Sequence, residues 1–594
     1  MSEGQKAKAW RGIKPGRDVI TYDPIVRNGE IDLQEKVTPF PVSIKVKHNG
    51  GKIPAAVRDA LPIKPSRVCR WVGQTPFPIG SIPHKEVKGE PTFREFIAKT
   101  PKYQKYVRGD NMDRTVVKGS WPTYGTDVKR AAEHVSNEIT YDLLLDSLYR
   151  RCNRLILPRF STYPRKSNLA SSPVNAESFP GIITQKLIGS TKKKAFKDSI
   201  NVAKRIFDKA ASKITQDTSL WAIGGRERPQ CLVKDGEPVR SRAVWMPELP
   251  VSQISQLYSR PIQRALQVLQ KDNKYEMELM CGNSFYNGGW DRWTKRYSKY
   301  HNILFADWSR HDQTVVEETM VVAFAILRAC WPESTKIDRH FLFIMSGFIH
   351  KHVAIPGRFI YLISKGIPSG SPFTTLITTV CCWLNWSIIF NKFNIDNANM
   401  SVYGDDTYVG LDTDVEIPDD IEEQITKILG MKVDPFKVSV FSDDYHPELA
   451  ANFLQTYDYY GLPGRDIDTI FRILNTPKNI SKGYYDNSFK IVGTIYTGPG
   501  NMEATQMILD FRDWLRHKAY ARLDMRPPPA KVGEKAGLLT FRLAIRNYFF
   551  YTSNWYDRAR DVLYWLEKET YASYTSMPQG YYENKIVELY NSIL

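Results

Sequence analysis

The sequence predicts an α+β chain built from several subdomains, and three observations carry that prediction. Its 594 residues exceed the size at which one hydrophobic core stops growing. Short runs of β-formers fold back at glycine in three places. These are Ser401-Val402-Tyr403-Gly404-Asp405-Asp406-Thr407-Tyr408-Val409-Gly410, residues 351–364 around Pro356-Gly357, and residues 453–465 with Gly461-Leu462-Pro463-Gly464 as the expected turn. Stretches of helical period alternate with them. Residues 131–153 present Leu143, Leu144, Leu145 and Leu148 as an apolar face, 315–331 end at Pro332, 421–429 end at Gly430, and 502–522 and 555–570 flank Arg526-Pro527-Pro528-Pro529. No internal repeat or low-complexity block is present.

With 42% hydrophobic and 12% aromatic residues the chain can bury a large core. Its net charge of +18 favours a polyanion as partner, through release of counterions from phosphates. No polybasic run stands beside an apolar anchor, so anionic lipid is disfavoured. The seven cysteines are scattered, with no Cys-x-x-Cys, which argues for a reducing compartment and against a zinc or disulfide framework. Residues 1–20 hold no apolar run of the secretory-signal kind. The apolar stretch 373–390 carries Thr374, Thr375, Thr378, Thr379, Asn385 and Ser387 and predicts a buried helix, so no membrane is expected as a partner. The first hundred residues are basic, rich in proline and weakly periodic, either an extended arm packed over other domains or a disordered tail.

The chemistry-bearing residues fall into an acidic set and a basic set. Asp405 and Asp406 follow Gly404 at a hairpin tip, and like charges so close raise each other's pKa unless a cation offsets them. A divalent-metal site explains the pair; a solvated turn is the alternative. Residues 302–307 form an apolar run ending in Asp307, where α/β sites collect carboxylates, and Asp312 opens the next helix as a site residue or a first-turn acid. Lys365-Gly366-Ile367-Pro368-Ser369-Gly370-Ser371-Pro372-Phe373-Thr374-Thr375 leads into the apolar helix. Its amides and hydroxyls suit a phosphodiester or a sugar hydroxyl, or else simply cap the helix. Among the basic segments, alternation in Val239-Arg240-Ser241-Arg242-Ala243-Val244-Trp245 places Arg240 and Arg242 on one strand face. Paired guanidiniums there suit a triphosphate, or mark a charged edge strand. Phe179-Pro180-Gly181 and the loop Gly189-Ser190-Thr191-Lys192-Lys193-Lys194 would let backbone and lysines approach a nucleic-acid strand, or form a solvated loop. His350 and His352 alternate on an expected strand and read as ordinary polar positions.

Taken in order, these stretches resemble the motif series of viral RNA-dependent RNA polymerases. Asp307 and Asp312 match motif A, Ser369-Gly370-Ser371-Pro372-Phe373-Thr374 matches motif B, and Tyr403-Gly404-Asp405-Asp406 matches motif C. Lys437 sits where motif D has its lysine, residues 453–465 are similar to motif E, Arg240 and Arg242 to motif F, and Pro180-Gly181 to motif G. The resemblance covers residues 179–465 and is nearest to polymerases of partitivirus- and picobirnavirus-type double-stranded RNA viruses. One departure is Thr378, where many relatives carry Asn or Asp.

The resemblance implies a right-hand fold, with an antiparallel palm sheet and helix-rich fingers and thumb. Residues 1–120 would be an arm bridging fingers and thumb, 121–300 fingers with a first palm segment, 301–475 palm with a fingers insertion between 332 and 365, and 476–594 thumb and C-terminal helices. It implies Mg2+, or Mn2+, on Asp307, Asp405 and Asp406, with Lys437 as general acid. Arg240, Arg242, Asp312, Ser369 and Thr374 would bind the nucleoside triphosphate, and Pro180, Gly181, Lys193, Gly370 and Ser371 the RNA. The implied partners are template and product RNA, ribonucleoside triphosphates and a viral capsid protein, inside the virion and in the host cytoplasm. Two rival readings are a reverse transcriptase, which also fits Tyr-x-Asp-Asp, and a non-catalytic RNA-packaging protein. Asp312 and Ser369-Gly370 disfavour the first, and the acids beside basic strands disfavour the second.

Overall fold

The computed structural model describes residues 15–21, 26–27, 30–31, 61–74, 89–107, 115–117, 121–226, 228–230, 241–270, 276–282, 289–300, 302–306, 308–395, 398–412, 418–433, 437–440, 452–459, 462–476, 494 and 501–521. Two sheets organise them. The first is antiparallel, in the order Asn399–Tyr403, Asp406–Leu411, Asn302–Ala306, Lys437–Val440. Its two hairpin strands, Asn399–Tyr403 and Asp406–Leu411, are buried almost without interruption because both faces are covered. Leu304, Met400, Val402 and Val409 join the helical core on one face, whereas Ile303 and Tyr408 join an aromatic cluster with Trp293, Tyr297 and Phe453 on the other. The helix Thr374–Lys392 lies within that core and is buried continuously from Leu376 to Phe390. Among the described residues no helix is long and apolar enough to cross a membrane.

The second sheet runs Cys69–Gln74, Phe359–Ile363, Lys351–Ala354, Leu220–Arg226, Arg242–Met246, antiparallel except for the pair Lys351–Ala354 and Leu220–Arg226. It therefore joins the expected hairpin at Pro356-Gly357 to the basic strand. It also takes an edge strand from the first hundred residues. A second early segment, the helix Pro91–Lys99, packs Phe93 against Phe471 and Phe511 with ring centroids 5.1 Å apart in each pair. These two segments of the early chain are packed onto distant elements, and the rest of that stretch lies largely outside the described residues.

Three local expectations are corrected. Residues 131–153 are not one helix but the ends of two, Trp121–Ala132 and Tyr141–Arg151. Asn137 accepts from the Ile139 amide and Thr140 from the Leu143 amide, so these side chains compete with the helix and restart it. Lys192, Lys193 and Lys194 are not in a loop but form the first turn of the helix Lys192–Ser212, whose N-cap is Thr191. In 453–465 the chain folds into three short strands, Asn452–Phe453, Thr456–Tyr459 and Leu462–Gly464. Leu462-Pro463-Gly464 is thus strand, and the first reversal falls at Leu454-Gln455, both left-handed. The helix expected over 555–570 lies outside the described residues. By contrast, Gly430 ends the helix Ile421–Leu429 in a left-handed conformation, as its position predicts. The six described cysteines are free and buried.

A buried ion pair ties the first sheet to the helices. Arg151 meets Glu278 at 2.7 Å with side chains 6% and 0% exposed. Glu278 also accepts from the Trp383 indole at 2.7 Å and the Met400 amide at 3.3 Å, and Arg151 donates to the Ala398 carbonyl. Removing one partner of such a pair leaves a desolvated charge. Arg151→Met is therefore expected to cost about 3–5 kcal/mol in urea unfolding; a loss below about 1 kcal/mol, the scale of an exposed pair, would contradict this role.

Candidate active site

The acidic hairpin is built by its glycine. Tyr403 pairs with Asp406, leaving Gly404 and Asp405 as a two-residue turn with Gly404 at φ +66°, the type II′ pattern. Asp406 is consequently the first residue of the returning strand rather than part of the tip. The helix Thr374–Lys392 holds this turn from behind. The Gly404 amide donates to Thr379 Oγ1 at 2.8 Å, and the Thr379 hydroxyl donates onward to the Thr375 carbonyl at 2.7 Å. Trp386 Nε1 donates to Thr407 Oγ1 at 3.0 Å, and Cys382 Sγ lies 3.3 Å from the same hydroxyl. Positions 379, 382 and 386 share one helix face.

Across the sheet, Ala306 ends its strand opposite Thr407. Asp307, the next residue, lies outside the described residues. Lys437 opens the outer strand opposite Phe305, and only its backbone is described. Asp312 sits in the short helix His311–Thr314, whose N-cap is Arg310 in the left-handed region at φ 65°. Burial pushes the Asp312 carboxyl up; Arg242 opposes this, while the charge of Asp405 adds to it. Arg242 Nη2 lies 3.5 Å from Asp312 Oδ2. The expected alternation holds for Arg242, exposed at the start of its strand, and for buried Ala243 and Trp245. Arg240 lies outside the described residues.

The Ser-Gly loop closes the third side. Trp245 donates its amide to Ser369 Oγ at 3.3 Å, and a Cβ on Gly370 would stand 1.9 Å from the Trp245 carbonyl, so only glycine lets the loop lie against the strand. The Thr374 hydroxyl bonds the Pro368 and Ser371 carbonyls, Ser371 Oγ accepts from the Phe373 amide, and Thr378 donates to the Thr374 carbonyl. Of the sequence-predicted residues, Arg242, Asp312, Ser369, Gly370, Asp405 and Asp406 thus stand on interlocking elements, and Ser371 and Thr374 shape the loop between them.

Pro180 and Gly181 are tied to the end of the basic strand. The Leu249 amide donates to the Pro180 carbonyl, and Glu248 accepts from the Ile183 and Thr184 amides. Gly181, at φ +110°, has no room for a Cβ beside the Glu248 carboxylate. Lys193 is exposed in its first turn, where the positive end of the helix dipole disfavours cations unless an anion is near.

Sequence reasoning missed Thr379, Asp127, Arg310 and His311. Asp127 accepts from Arg310 and from the Ala243 amide. His311 is fully buried, and neither ring nitrogen meets a partner among the described residues. The only available signal was the 3–4 spacing of Thr379, Cys382 and Trp386; Asp127 carried none.

The donor chemistry fits a hard cation. Asp405 and Asp406 offer oxygen only, while burial pushes the Cys382 and Cys281 thiols up to about 12, so neither supplies a thiolate. Among the described residues no three His, Cys, Asp or Glu side chains form a cluster that could hold a metal; the expected third acid is Asp307. Burial lowers His311 from 6.5 to about 4, so stability is full above pH 6.5 and falls as pH drops towards 4. His311→Leu is expected to flatten the urea midpoint over that window; an unchanged slope would contradict burial of a neutral imidazole.

The viral RNA-dependent RNA polymerase family model matches residues 97–457, more than half of the chain. The chain is similar to the non-structural polyprotein 1AB of human astrovirus-4, with 28% identity over 174 residues, 27% of this chain and 12% of that polyprotein. It is also similar to the genome polyprotein of bovine enteric calicivirus Newbury agent-1, with 25% identity over 222 residues, 36% of this chain and 9% of that polyprotein. The matches therefore span only a small part of those polyproteins. With this match laid over the site just described, the chain belongs to the viral RNA-dependent RNA polymerase family.

Proposed function

We propose that the chain is an RNA-directed RNA polymerase that replicates and transcribes a viral RNA genome from ribonucleoside triphosphates. The observation that carries this is the convergence of the acidic turn, the basic strand and the Ser-Gly loop through Gly404–Thr379, Arg242–Asp312 and Trp245–Ser369. The mixed helix-and-sheet architecture agrees with the right-hand polymerase fold that the family implies. Within it we assign the first sheet to the palm, the second to the fingers, and the helix Met502–Ala521 to the thumb, with the domain limits given above.

In this reading Asp307, Asp405 and Asp406 hold Mg2+ or Mn2+. Two such ions, when bound, activate the attacking 3′-hydroxyl and stabilise the leaving oxygens of an in-line displacement. Arg240 and Arg242 grip the triphosphate, which draws Arg242 from Asp312. The freed Asp312 carboxylate then accepts from the ribose 2′-hydroxyl, the group that distinguishes ribonucleotides. Ser369, which accepts from the Trp245 amide, is assigned to the same ribose, and Thr374 keeps the loop in shape by donating its hydroxyl to the Pro368 carbonyl. Lys437 Nζ is assigned the proton for departing pyrophosphate. Pro180, Gly181, Lys193, Gly370 and Ser371 line the path of the RNA.

The finer likeness to partitivirus- and picobirnavirus-type polymerases rests on the wording of the motifs, and a capsid partner and a place in the virion interior and host cytoplasm follow from it alone. Template-directed incorporation tests the main reading: Asp405→Ala is expected to lower ribonucleotide incorporation at least about a hundredfold while filter-bound RNA is unchanged. Activity near that of the wild type would refute the metal assignment, deoxynucleotide products would favour a reverse transcriptase, and salt-dependent RNA binding without turnover would favour packaging. Asp312→Ala is expected to cost ribose preference more than stability; undiminished discrimination against deoxynucleotides in competition assays would refute its role.

A further inference from the structure

The pair Arg242–Asp312 is formed by two segments far apart in sequence, and something must fix their spacing. One carboxylate touches both. Asp127, in the helix Trp121–Ala132, meets Arg310 Nη1 through Oδ1 at 2.9 Å and the Ala243 amide through Oδ2 at 3.0 Å. Ala243 directly follows Arg242, and Arg310 stands two residues before Asp312. The Asp127 side chain is only 10% exposed, so water screens these contacts little. Arg310 adopts a left-handed backbone that a bulky residue rarely takes, and its ion pair to Asp127 holds it there.

The same helix grips the strand a second time: the Ser241 amide donates to the Thr123 carbonyl at 3.0 Å, and the two hydroxyls lie 2.8 Å apart. It also backs the Ser-Gly loop, since a Cβ on Gly366 would meet the Ala131 side chain at 3.4 Å and the Asp312 carbonyl at 3.1 Å.

We infer that Asp127 is a positioning residue for substrate selection: it fixes the spacing of Arg242 and Asp312 and keeps the Arg310 guanidinium away from the Asp312 carboxylate. This rests on the polymerase reading above. The second role follows from charge. Arg310 stands two residues before Asp312 in sequence, and once unpaired its guanidinium would be free to compete with Arg242 for the carboxylate that must stay open for a ribose hydroxyl. Asp127 itself touches neither nucleotide nor metal in this account.

The test is Asp127→Asn, which keeps the shape and an acceptor for the Ala243 amide but loses the ion pair. KM for ribonucleotides is expected to rise about tenfold, with a similar fall in ribo-over-deoxy preference, while RNA affinity changes little and the urea midpoint falls because the Arg310 charge is left unpaired. Adding Arg310→Gln should restore most of the preference, because no competing cation remains. A lower unfolding midpoint with unchanged KM and preference would overturn the inference, as would a lost preference that Arg310→Gln leaves unrelieved. If wild-type protein incorporates nothing, the polymerase reading fails on its own. Equilibrium binding of labelled ribonucleoside triphosphates then decides: several-fold weaker binding to Asp127→Asn supports the positioning role, and equal binding, or none to either protein, overturns it.

Discussion

Two adjacent carboxylates, one in the turn of a hairpin and one opening its returning strand, set the terms for the surrounding structure. Their repulsion favours splaying or protonation, and a site that needs both as anions in fixed positions must hold the turn by its backbone. The molecule does so from behind, where water is excluded: a left-handed glycine donates its amide to Thr379, and Thr407 on the returning strand is gripped by Trp386 and Cys382. One helix face therefore fixes both sides of the turn. That helix is polar at these few points and otherwise buried in apolar surroundings, which is why its hydroxyls find partners within the protein.

The rest of the site is arranged around that fixed point by close backbone approaches. Gly370 lets the Ser-Gly loop touch the Trp245 carbonyl, and Gly181 lets the Pro-Gly segment sit against Glu248. The basic strand is thus bordered by the Gly370 contact on one side and by the helix that carries Asp127 on another, with the Gly181 contact just beyond its end. Local charge is balanced pair by pair, Arg242 with Asp312 and Arg310 with Asp127, although the whole chain carries +18. The excess positive charge is free to act at longer range on a polyanion.

Much of this was legible in the sequence where one residue dictates local geometry. Gly404 forced a hairpin, Gly430 ended a helix, and Pro356-Gly357 turned the pair of strands that joins the second sheet. Reading failed where local signals conflicted. Asn137 and Thr140 broke a helical pattern that the leucines alone support, and three lysines disguised a helix start whose cap was Thr191. A proline and a glycine at 463–464 suggested a turn where the chain pairs as strand. Long-range partners were invisible: nothing near Asp127 in sequence announces Arg310 or Ala243, and Thr379 looks like any hydroxyl in an apolar helix. Asp307 was read as the acid that ends an apolar run, Arg240 from strand alternation and Lys437 from motif order, and Asp307, Arg240 and the Lys437 side chain lie outside what the structure describes.

The most direct measurement of the central claim is the metal dependence of ribonucleotide incorporation on a single-stranded RNA template, comparing wild type with the double variant Asp405→Ala, Asp406→Ala. The account predicts product from the wild type only with Mg2+ or Mn2+ present, and none from the double variant at any metal concentration. Metal-independent product, or equal product from the double variant, would contradict it.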